Sequence, residues 1–134
     1  MRYHSARMAP RFVLICALLA FVAPPSVAHH SITGQFDVSK SVTLQGTITK
    51  VDWINPHAFV YLDSKSPTGE VKRFKVEMGP PYALVRGGWK RDTLKIGDTV
   101  TVENAALARD GSDSAGSLPN TQMLLAGGQK LPMR

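Results

Sequence analysis

The chain has 134 residues, a formal charge of +6 and one cysteine, Cys16. That length fits a single domain with one core, and a lone cysteine excludes an intrachain disulfide framework. Basic and acidic residues are interspersed rather than grouped, so the charge pattern writes no nucleic-acid-binding stripe.

Residues 1–28 read as an address. Arg2, Arg7 and Arg11 form a positive opening with no acidic residue, Phe12 to Ala23 is an apolar run, Pro24 and Pro25 break it, and Ser26-Val27-Ala28 offers the small residues a signal peptidase reads. The run is short for a permanent span, which needs about 20 apolar residues. Cys16 follows Ile15 rather than a small residue, against a lipid attachment site. The expectation is a cleavable signal peptide, a periplasmic destination and no stable membrane anchor after cleavage. Processing after Ala28 leaves residues 29–134 as one domain, 106 residues with 13 basic and 10 acidic side chains, no cysteine and His29 at the new terminus. An exported domain without thiols holds together by packing alone and has neither thiol catalysis nor cysteine metal sites.

His29 to Ser41 has Ile32 and Phe36 as its largest apolar residues, too little for a core, so it is expected to lie against the domain or pair briefly at an edge. From Val42 to Trp53 the sequence alternates. Val42, Leu44, Gly46 and Ile48 share one face, and the apolar phase then slips by one to Val51 and Trp53. Alternation predicts a half-buried strand and the slip predicts a bulge. A glycine inside the run, Gly46, predicts a sharp bend. Trp53-Ile54-Asn55-Pro56-His57 is a corner: Pro56 presets its own φ and keeps Asn55 out of the helical region, which fixes His57 just past the turn.

Ala58 to Asp63 reads as the second strand and Val71 to Met78 as the third, with Pro67 and Gly69 in the turn between them. Phe74, Val76 and Met78 form the inner face of the third. Tyr82 to Arg86 suits a short helix, with Pro80 and Pro81 where a first turn tolerates them, stopped by Gly87-Gly88. Trp89 then plugs the end of the core, the alternative being a binding platform with Tyr82. Gly97-Asp98 turns into a fourth strand carrying Val100 and Val102. Arg109 to Asn120 reads as a flexible polar loop, Met123 to Leu125 as a fifth strand, and Gly127-Gly128 as a turn toward Lys130-Leu131. Five strands with a short helix between the third and fourth predict an all-β, OB-like barrel; a small β-sandwich is the alternative.

His29-His30-Ser31, Trp53-x-Asn55-Pro56-His57, the run from Gly79 through Pro81, Ala83-Leu84, Arg86, Gly88-Trp89 and Arg91-Asp92 to Leu94, and Gly97-Asp98-x-Val100-x-Val102 together resemble the exported bacterial family called domain of unknown function 6152. The resemblance covers nearly all of residues 29–134. It implies a small periplasmic β domain and carries no assigned activity.

Chemistry must therefore come from the residues. After processing the histidines are His29, His30 and His57. A terminal His29 can chelate through its α-amine and imidazole together, and a further imidazole completes the nitrogen-rich set that Cu(II) prefers; zinc and nickel are also compatible. Neighbours in an extended arm face opposite ways, so one of His29 and His30 would pair with His57. Asp37 or Glu77 could add an oxygen. In the bland alternative, His29 and His30 are a solvated tip and His57 a strand-end residue. The competing functional reading is a non-catalytic module, with Trp53, Asn55, Phe59, Tyr61, Tyr82 and Arg86 forming a ligand face for an envelope saccharide or a protein partner. No nucleophile motif, carboxylate pair or phosphate loop is present, and Ser31 beside His30 is not a triad, so the sequence favours no enzymatic activity.

Overall fold

The long first strand sets the architecture. In the computed structural model, which describes residues 31–134, a single helical turn α1 (Ile32–Gln35) leads into β1 (Phe36–Asp52), followed by β2 (Phe59–Lys65), β3 (Val71–Glu77), α2 (Pro81–Arg86), β4 (Thr99–Ala108), β5 (Ser114–Leu124) and β6 (Lys130–Pro132). The expected signal peptide, with Cys16, and His29 and His30 lie outside the described residues. Among the described residues no helix is long and apolar enough to cross a membrane.

β1 serves two neighbours because it changes partner along its length. Its first part pairs antiparallel with β4, from Phe36 opposite Ala108 to Thr47 opposite Thr99. Its second part pairs with β2, from Thr47 opposite Asp63 to Asp52 opposite Phe59. The expected phase slip is a register shift between Ile48 and Lys50. Gly46 lies against β2: a Cβ there would lie 2.5 Å from the Asp63 carbonyl oxygen and 2.6 Å from Leu62 Cδ1. The strand begins earlier than its alternation suggested, at Phe36 rather than Val42. Residues 37–40 form a bulge, and pairing with β4 resumes at Ser41 opposite Ala106.

β2 and β3 form a hairpin in continuous register, turned by Gly69 at φ 90°. A parallel contact between β3 and β5, Lys75 to Glu77 against Ser114 to Gly116, closes the wall in the cyclic order β1-β2-β3-β5-β4. With α2 between the third and fourth strands, this is the OB-like barrel expected from the sequence; closure removes the sandwich alternative. β6 adds a short sixth strand to β5. The core is formed by the inward residues of all five wall strands, including Ile48, Val60, Leu62, Val76, Val102 and Met123. α2 contributes Leu84 to it, and Trp89 is 2% exposed. The indole N–H of Trp89 donates to the Pro132 carbonyl at 2.6 Å, so the plug also ties down the strand that follows β5.

The expected flexible loop from Arg109 to Asn120 is a correction. β5 begins at Ser114, so the fifth strand opens well before Met123. Ser114-Ala115-Gly116-Ser117 reads as loop by composition, yet Ala115, Gly116 and Ser117 are buried. Three strands converge at this seam and the Phe36 ring lies over it. A Cβ on Gly116 would come within 2.6 Å of Phe36 Cδ2, so only small residues fit. Small size here meets a packing limit that hydropathy does not register.

Candidate functional site

Two backbone hydrogen bonds define the corner after β1. The Ala58 N–H donates to Gly79 O at 3.2 Å and the Met78 N–H to Ala58 O at 2.9 Å, which carries the β2–β3 ladder one step past its regular end. Ala58 is fully buried while Ile54, Asn55 and Pro56 are exposed, and the Asn55–Pro56 peptide is cis. His57 is thereby placed on the rim, on the same side as Phe59, since residues two apart on a strand share a face. Glu77 pairs with Phe59 across the ladder. The two side chains meet: His57 Nδ1 lies 2.6 Å from Glu77 Oε1, with the imidazole 40% and the carboxylate 22% exposed.

Glu77 also lines a groove of about 400 Å³ together with Gly34, Gln35, Phe36, Phe59 and Arg109. Arg109 fastens the incoming chain to that groove. Its backbone N–H donates to Gln35 O and its Nε–H to Thr33 O, both at 2.9 Å. Just upstream, Ser31 O accepts from the Gly34 N–H at 2.8 Å, completing the α1 turn. Glu77 is thus the link between the two: it lines the groove that Gly34 to Phe36 border and it touches His57 of the Asn-Pro-His corner. Arg109 had no place in the sequence reading because it opened the stretch taken as loop. Its signal is the Ala-Leu-Ala run just before it, which extends β4 up to its position.

The remaining candidates are spread over several elements. Asp37 sits in the bulged part of β1, where its carboxylate accepts from the Ser39 hydroxyl and N–H; these bonds hold its pKa below the ordinary value. Trp53 is half-buried against the core and lines a small cleft with Trp89 and Arg91. Tyr61 stands on the outer face of β2 with Lys50 Nζ 4.9 Å from its ring centre, and Lys75 Nζ lies 4.2 Å over Phe59. On that face Arg73 grips Asp63 through two hydrogen bonds, 2.7 and 3.0 Å, and Lys50 contacts Asp52 at 2.8 Å. Hydrogen bonds from Arg73 and Lys50 lower the pKa values of Asp63 and Asp52 respectively. Tyr82 and Arg86 come together on α2, the guanidinium carbon 5.7 Å from the ring centre. Among the described residues no group of three or more His, Asp or Glu side chains is placed to hold a metal ion.

The fold and rim define the class, a small OB-like β-barrel with a histidine–carboxylate pair at the edge of an open groove. The chain belongs to a family of unknown function, DUF6152, whose model matches residues 17–117. No curated protein and no solved structure matches it.

Proposed function

We propose that this protein is an exported, periplasmic metal-binding barrel that captures Cu(II) with the α-amine and imidazole of a processed N-terminal His29, the imidazole of His57, and His30 close by. The observation that carries the reading is the double role of Glu77, which touches His57 and lines the same groove as Gly34 to Phe36. Ser31 to Gly34 close the α1 turn, which leaves two steps of chain from Ser31 back to His29, a reach of roughly 7 Å when extended. Nitrogen donors without thiolates favour Cu(II) over softer-site metals, and signal cleavage supplies the amine.

The test is calorimetry on correctly processed protein. It should take up about one equivalent of Cu(II). One extra residue ahead of His29 should weaken uptake sharply, and His57→Ala should weaken it while the circular dichroism spectrum stays that of the wild type. Equal binding with the extra residue in place would remove the terminal amine from the mechanism.

A second reading rests on α2. Tyr82 and Val85 are 65% and 57% exposed and Arg86 stands beside them, a surface suited to a periplasmic protein partner. Tyr82→Ala would abolish such an association without altering copper uptake.

A further inference from the structure

We propose that the groove along the β3–β5 seam binds a small organic carboxylate, its charged end taken by Arg109 and Lys75 and its apolar body resting on Phe59 and Ala108. The site goes beyond the metal reading above and does not depend on it. At about 400 Å³ the groove has the size of a small-molecule site. The strand register builds it. Lys75 of β3 pairs with Ser114 of β5, and Leu107 of β4 pairs with Ala115, so the opening of β5 runs between the two strands that carry the cations. Two strand spacings, roughly 10 Å, separate their backbones, which sets Lys75 and Arg109 on opposite sides of one opening. One row along, Glu77 pairs with Phe59 on one side and with Gly116 on the other. That row brings the half-buried Phe59 beside the opening, and the Phe36 ring covers Gly116 at its far end.

The groove carries cations and carboxylates, and their engagement differs. Glu77 is in contact with His57, and Asp110 Oδ1 accepts from the Ser112 N–H at 2.9 Å. Among the described residues neither Lys75 nor Arg109 has a carboxylate within 4.0 Å; Asp52 and Asp37 act on them only through longer-range charge. The Lys75 ammonium lies instead 4.2 Å over the Phe59 ring, a contact that is weak at an exposed site and leaves its other donors available. Arg109 spends its Nε–H on Thr33 O at 2.9 Å. That bond holds the guanidinium in place before a ligand arrives. Its terminal nitrogens make no hydrogen bond among the described residues and can give a carboxylate the parallel pair it accepts best. A cationic ligand would meet two like charges here. An inorganic anion would leave the apolar surface of Phe59 and Ala108 unused.

The test is an amide NMR titration of the processed protein with benzoate in the presence of a metal chelator, so that copper plays no part and failure of the metal reading leaves the result untouched. Benzoate should shift the amides of Gln35, Ala108 and Ser114 along one saturable curve. Benzamide, its uncharged counterpart, should bind about tenfold more weakly. Lys75→Gln and Arg109→Gln should each lower benzoate affinity by about tenfold. Lys75→Gln breaks no hydrogen bond within the protein, so its loss reads the ligand contact even where Arg109→Gln loosens the incoming chain. Lys72→Gln, on the same strand but outside the groove, should leave the affinity as it is. Absence of a saturable shift at these amides overturns the proposal. Benzamide binding as tightly as benzoate would show that the charge is not read, and inorganic phosphate binding as tightly would show that the apolar body is not; either overturns it. An equal loss in Lys72→Gln and Lys75→Gln would mean diffuse attraction to a basic strand and overturns it as well.

Discussion

Several single side chains set identifiable parts of the structure. Trp89→Phe keeps most of the apolar volume but leaves the half-buried Pro132 carbonyl without its 2.6 Å donor; losing that hydrogen bond costs about 1 kcal/mol, read as a lowered urea midpoint with an unchanged slope. Arg109→Ala removes the side-chain bond to Thr33 O and keeps the backbone bond to Gln35 O. Global stability should fall by about 1 kcal/mol, while hydrogen exchange around Gly34 and Gln35 accelerates. Asp63 shows how pH enters. Its bonds to Arg73 lower its folded pKa below the ordinary 3.8, so the pair contributes stability above that value and loses it as the pH falls through the lowered one. Acid titration of Asp63→Asn should give a shallower loss of stability below about pH 4, where the wild type declines. His57 was legible as a rim residue because Asn-Pro marks the corner. Its carboxylate partner was named only as one of two candidates, since contacts across a hairpin depend on a register that no local motif states.

At the level of the elements, alternation was readable and closure was not. The burial pattern of β1 follows Leu44, Gly46 and Ile48, and the slip to Val51 and Trp53 is the bulge against β2. β4 contains a second bulge, between Glu103 and Ala105, with Asn104 at φ 60°. There Thr121 Oγ1 donates to Asn104 O at 2.6 Å, filling the gap the bulge leaves in the ladder. The start of β5 escaped because Ser, Ala and Gly are depleted of the apolar signal that marks a strand, and because the constraint on them comes from Phe36, far away in sequence. That constraint is testable. Gly116→Ala places a methyl group 2.6 Å from the Phe36 ring and should cost about 1–3 kcal/mol. Pairing it with Phe36→Leu should recover part of the loss, a positive coupling that an independent-site change would not show.

For the whole molecule, the barrel topology joins distant parts of the sequence at one rim. The corner between β1 and β2, the end of β3, the start of β5 and the chain entering β1 all converge there. The seam that makes this convergence possible is short, three residue pairs of parallel ladder, and Glu77 is the last of them. Any breathing that parts β3 from β5 therefore disturbs the His57–Glu77 contact at the same instant. Amide exchange at Val76 and Ala115 should accordingly outpace that along the β1–β4 side of the wall, where the pairing is longer.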